Sequence, residues 1–149
     1  MRTIGLLGVP SNSAGTTDGV ARGPLVLREE GLVETLRTHA EVRDYGDVTL
    51  PEPSPTRDAR SKVIDPDGLG ALVARVRDAV SPILESGHLP LVIGGDCPQL
   101  LGCLAAASGR SRVGLLFVDG HEDAYLPLQS TTGEAADMKA FPAELVPLP

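Results

Sequence analysis

Continuous apolar runs alternate along this chain with stretches whose apolar residues recur at helical spacing. Residues 3–9, TIGLLGV, are closed by Pro10 and a loop rich in Gly, Ser, Thr and Asn, which predicts a short buried strand. In GPLVLREEGLVETLRTH, Pro24 stands where a first helical residue would, and Gly31 is expected to interrupt the helix. AEVRDYGD predicts a second, weaker strand, and the proline-rich, mixed-charge VTLPEPSPTRDARSKVIDP predicts a surface connection. Across residues 67–87, Leu69, Leu72, Val73, Val76, Val80, Ile83 and Leu84 fall on one helical face, with Pro82 expected to kink the last turns. LPLVIGGD (89–96) predicts a third strand, PQLLGCLAAAS a helix, and RVGLLFVDGHED a fourth strand. His88, beside Gly87, is placed to meet the last carbonyls of the preceding helix.

Strands that read as unbroken Val/Ile/Leu runs and alternate with helices predict an α/β domain whose parallel sheet is covered on both faces. With 149 residues, the chain is long enough for one such domain over residues 1–149. Its end is expected to be irregular, because Pro142, Pro147 and Pro149 prevent a helix in residues 139–149. The sheet stops where another βα unit is expected, leaving an apolar strand as an edge, which predicts self-association of the chain.

Charge narrows the function. Thirteen basic against 20 acidic residues give a formal net charge of −7, which argues against nucleic acid or an anionic membrane surface and favours a cationic small molecule or a metal ion. Apolar runs fall short of a bilayer span, and a cytoplasmic location is the default expectation. Cys97 and Cys103, six apart, match neither a redox nor a zinc spacing and are expected to be reduced thiols. GLLG (5–8) lacks the spacing of a dinucleotide-binding loop.

The chemistry concentrates in DGHED, directly after an apolar run. In an extended chain Asp119, His121 and Asp123 project to one side, which is a metal-site pattern. Ligands of open parallel sheets bind outside the carboxyl ends of the strands. VIGGDC ends the preceding strand in the same manner, with Gly94 and Gly95 allowing a tight turn that brings Asp96 and Cys97 to that rim. The bland alternatives are that the aspartates cap helices or bind loop amides, and that Cys97 is a small buried hydrophobe.

GGDC and DGHED resemble the G-G-D-H and D-A-H-x-D motifs of the arginase, or ureohydrolase, superfamily, and GVPSNSAGTTDGVARGPLVLREEGL with DYGD resembles that family's N-terminal half. The resemblance implies a three-layer α/β/α fold with a mostly parallel sheet and a centre of two manganese ions. It makes Cys97, Asp119, His121 and Asp123 the metal ligands, with Asp119 bridging and both Asp119 and Asp123 catalytic. Cys97 replaces a histidine of the family, and a soft thiolate favours zinc or iron over manganese. The implied reaction is cleavage of a guanidino or amidino C–N bond by a metal-activated water.

Other positions depart from the arginase pattern. Tyr125 and Glu134 stand where arginases have asparagines, and Ala136 replaces a histidine. As substrate contacts Tyr125 and Glu134 imply that arginine is not the substrate, since a glutamate excludes a carboxylate by like charge. TTGE also reads as a capping box, with Thr131 as N-cap and Glu134 at N3. The family's third carboxylate motif has no counterpart after Asp123, so four ligands remain, enough for one tetrahedral ion. The alternative from another class is a truncated, non-catalytic arginase-fold protein that binds one metal, a small ligand or a partner.

Overall fold

A computed structural model of the chain describes residues 2–108, 113–116, 118 and 125–138. Strand β1 (Ile4–Val9) is followed by a 3-10 turn (Gly19–Arg22), helix α1 (Gly23–Glu29), helix α2 (Leu32–Arg37) and strand β2 (Val42–Asp47). Helix α3 (Pro66–Glu85), strand β3 (Leu89–Gly94) and helix α4 (Gln99–Ser108) follow, then a second 3-10 turn (Ala135–Asp137). The strands form one parallel sheet in the order β2-β1-β3. The β1–β3 pair is in register from Ile4 opposite Leu89 to Val9 opposite Gly94, whereas β1–β2 shifts between Leu6 and Gly8.

Apolar alternation on β1 covers both faces of the sheet. Leu7 and Val9 join a core cluster with Leu72, Val76, Val80 and Ile83 of α3, while Leu6 is fully buried outside that cluster. A Cβ on Gly5 would meet Ile83, and one on Gly8 would meet Arg28 of α1, so α3 and α1 flank opposite faces. Helix α4 lies close against α3, since a Cβ on Gly102 would sit 2.6 Å from the Val76 Cβ. This is the expected α/β/α layering.

Local chemistry sets the helix limits. Asp65 caps α3 by accepting from the Gly68 amide at 3.1 Å, and Pro66 opens the first turn. Gly87, at φ +72°, closes it, with the His88 amide donating to the Ile83 carbonyl at 3.2 Å. The helix continues through Pro82, and the Ser86 amide donates to the Pro82 carbonyl at 3.0 Å. Gly31, at φ +83°, separates α1 from α2 as expected.

Four expectations are corrected. Residues 113–116 and 118 carry no strand, and Leu116 and Val118 are 89% and 90% exposed. An apolar run becomes a strand only beside a hydrogen-bonding ladder and under a cover, and among the described residues this run has neither. The TTGE capping box does not form: Glu134 itself is the N-cap of the second 3-10 turn, without a side-chain capping bond, and its amide donates to Thr132 Oγ1. The His88 ring meets the Tyr45 hydroxyl at 3.0 Å, not the helix carbonyls. The proline-rich connection is not wholly superficial, because Val48 and Val63 are buried. The tail expected to be irregular, residues 139–149, lies outside the described residues.

Arg28 ties α1 to β2. Its guanidinium donates to Asp44 at 2.9 Å and to Asp47 at 2.6 Å, and the Arg28 hydrogen bond holds the Asp44 carboxyl below its ordinary range. A depressed folded-state pKa contributes stability above the unfolded value near ~3.9, and that contribution is lost as pH falls through the folded value. Arg28→Met is therefore expected to lower stability by about 1 kcal/mol at pH 7, solvent screening keeping the figure small. The deficit should shrink below pH ~4 as Asp44 is protonated in both proteins, measured by denaturant unfolding at each pH.

Candidate functional site

The carboxyl ends of β1 and β3 are locked together. Beyond Val9 and Pro10 the chain turns into a loop stabilised by its own polar side chains: Asn12 Oδ1 accepts from the Ala14 amide at 3.0 Å, and Thr16 Oγ1 donates to Asp18 at 2.6 Å. Beyond β3, Asp96 reaches back to this loop. Its carboxylate accepts from the Ser13 amide at 2.5 Å and from the Ser11 hydroxyl at 3.2 Å. The Gly95 amide adds a bond to the Val9 carbonyl at 3.1 Å.

Gly95 is required by contact. A Cβ there would lie 1.7 Å from the Ser11 carbonyl oxygen, and one on Gly94 would lie 1.6 Å from the Gln99 side chain. Neither glycine is at positive φ, so what each supplies to the tight turn is room for close approach and not a left-handed backbone. The outcome expected of them still holds in part, since Asp96 and Cys97 do lie at the strand ends.

Beside this clasp lies a cavity of about 270 Å³, whose wall includes Ser11, Ser13, Asp65, Leu72, Asp96 and Ala135. Glu52 adds a third carboxylate, and among the described residues no Lys, Arg or His lines it. Such a wall suits a cation or a donor-rich group. The Ser13 hydroxyl oxygen is buried and has no hydrogen-bond partner among the described residues. Two of the carboxylates are already engaged, Asp96 with the loop and Asp65 with the Gly68 and Ser54 amides.

Of the predicted metal ligands only Cys97 is described; Asp119, His121 and Asp123 lie outside the described residues. Cys97 is half-buried at the end of β3 and is not in a disulfide. No group of three His, Cys, Asp or Glu that could hold a metal ion occurs among the described residues. Cys103, further along α4, is a separate thiol: burial pushes its pKa up to about 11, which keeps it protonated and inert. The predicted substrate contacts sit on the segment 125–138, with Tyr125 exposed and Glu134 half-buried. The clasp made by Asp96 was missed in the sequence, although the polar Ser-Asn-Ser after one strand and the Gly-Gly-Asp after another were its signal. Arg57, which binds the 130–134 loop, gave none.

A three-layer α/β fold with polar groups gathered at the carboxyl edge of its parallel sheet is the arrangement in which open α/β sheets bind ligands. The Arginase family model matches residues 2–144, and the chain belongs to that family. Arginase-1 of Homo sapiens is 34% identical over 140 residues, covering 89% of this chain and 41% of the human protein. The hepatic arginase of Aquarana catesbeiana is likewise 34% identical, over 134 residues and with the same two coverages. The solved arginase of Bacillus caldovelox superposes with a TM-score of 0.81 at 29% identity, over 93% of this chain and 47% of that one. The chain thus spans less than half the length of the relatives it matches. No described helix is long and apolar enough to cross a membrane.

Gly95→Ala is expected to lower stability by about 3 kcal/mol or more, because neither backbone can retreat without opening the β1–β3 ladder. Gly70→Ala, where a Cβ meets nothing within 4 Å on the exposed side of α3, should raise stability by about 0.5–1 kcal/mol. Thermal unfolding followed by circular dichroism distinguishes the two, and equal effects would contradict the contact argument.

Proposed function

We propose that the chain serves the metal-dependent hydrolysis of a guanidino or amidino C–N bond in a substrate other than arginine. The observation that carries this reading is the position of the Asp96–Cys97 turn, at the carboxyl edge of the sheet in a chain of the arginase family. Cys97, Asp119, His121 and Asp123 would hold the metal. Manganese is the metal of the family, and the thiolate of Cys97 shifts the preference of this donor set toward zinc. When bound, the metal supplies Lewis acidity and a water acidic enough to attack a planar amidino carbon.

The residues of the chain then set the substrate. Glu134 is not consumed by a capping box, and its like charge excludes the α-carboxylate of an amino acid. Among the described residues the cavity beside it carries carboxylates and no basic residue, which favours a cationic or neutral tail. Tyr125 supplies an exposed ring and hydroxyl on the same segment.

The test is metal content by plasma mass spectrometry on protein purified without chelator, with Mn(II) and Zn(II) titrations. A four-donor site predicts about one equivalent per chain, lost in Asp119→Ala. No metal above background in the wild type would overturn the catalytic reading and leave an arginase-fold protein that binds a small ligand or a partner.

A further inference from the structure

The segment 125–138 carries both proposed substrate contacts, and three hydrogen bonds of the described residues tie it to the rest of the fold. All three come from one turn, residues 57–64. Arg57 Nη2 donates to the Ser130 carbonyl at 2.7 Å, and Arg57 Nη1 to the Thr131 carbonyl at 3.2 Å. The Ile64 amide donates to the Gly133 carbonyl at 2.8 Å. We propose that Arg57 is a positioning residue that holds this segment, and with it Glu134, against the cavity at the strand ends.

The turn is a firm anchor. Its Asp58 carboxylate accepts from the Ser61 amide at 2.6 Å and the Ser61 hydroxyl at 2.8 Å, Arg57 pairs with Ile64, and Val63 is 2% exposed. Arg57 Nε donates to the Lys62 carbonyl at 2.7 Å, which fixes the guanidinium plane before it reaches across. Arg57 forms no ion pair among the described residues, so these donors serve backbone carbonyls alone.

The gripped segment is shaped to receive it. Gly133 is at φ +82°, and a Cβ there would lie 2.6 Å from Arg57 Nε, so backbone and packing both require glycine. Its amide donates to Ser130 Oγ at 2.9 Å, closing a small ring of chain around the guanidinium contact. Ala135, two residues on, is buried in the cavity wall. Because the grip acts through carbonyls, it requires glycine at 133 but no particular side chain at 134 or 136. Glu134 and Ala136 can therefore change what the segment selects without changing where it sits. A lysine cannot replace the arginine, since an ammonium lacks the planar fork that spans three carbonyls.

This inference rests on the reading that residues 125–138 face the substrate, and the experiment separates the two. Hydrogen exchange followed by mass spectrometry on the whole chain compares wild type, Arg57→Lys and the control Arg60→Lys. Exchange of the 130–134 amides is expected to rise about tenfold in Arg57→Lys, with α3, β1 and β3 unchanged and Arg60→Lys like wild type. Unchanged exchange at 130–134, or equal acceleration throughout α3, would overturn the proposal. Should Arg57→Lys fail to fold, Gly133→Ala, which displaces the guanidinium from the other side, must give the same local pattern. Affinity for butylguanidinium, measured by NMR titration, is expected to weaken about tenfold in Arg57→Lys and to stay unchanged in Arg60→Lys. Unchanged affinity in Arg57→Lys would also overturn it. If the wild type does not bind the probe, the substrate reading fails, and the exchange result alone decides for Arg57.

Discussion

The contact between Asp96 and the Ser11–Ser13 loop is the constraint on which the functional edge of this molecule depends. Parallel strands need no contact beyond their ladder, yet here the turn after β3 is pressed onto the turn after β1. A missing Cβ at Gly95 permits the approach, and a charge-assisted hydrogen bond from the Ser13 amide holds it. The cavity wall, the place of Cys97 and the direction in which the chain leaves β3 all follow from that pairing. Asp96 therefore belongs to the scaffold of the proposed site and not to its ligand set.

Among the described residues, the two edges of the sheet differ in kind. β2, VRDYGD, carries Arg43, Asp44 and Asp47, and Arg28 spans the last two, so this strand is built to be an edge. β3, LPLVIG, carries no charge, and the groove beside it is lined by Leu84, Val92, Leu100, Cys103, Leu115 and Leu116. Its chemistry is that of an interior strand.

Much of the fold was legible because it rests on periodicity. β1, α3, β3 and α4 announce themselves by apolar spacing, and Gly31 and Gly87 end helices at positive φ as their positions suggest. Failures came where a local motif had two uses. Residues 113–116 and 118 have strand composition, but a strand needs a neighbour, which composition cannot report. TTGE satisfies a capping-box pattern, yet the turn beginning at Ala135 is a single 3-10 turn and takes Thr132 as its local partner. Gly94 and Gly95 were legible as the turn that carries Asp96 and Cys97 to the strand ends, but the close approach of Ser11 and Gln99 that requires them was not. The DGHED residues, on which the catalytic reading leans most, were legible only as a pattern and lie outside the described residues.

The most direct test of the account is the amide proton of Ser13, followed by NMR in the wild type and in Asp96→Asn. A short bond to a carboxylate predicts a strongly downfield proton that moves upfield in the variant, with accompanying shifts at Cys97 and none in the helical residues of α3 distant from the strand ends. An ordinary Ser13 shift that is the same in both proteins would contradict the clasp, and with it the claim that the two strand ends form one site.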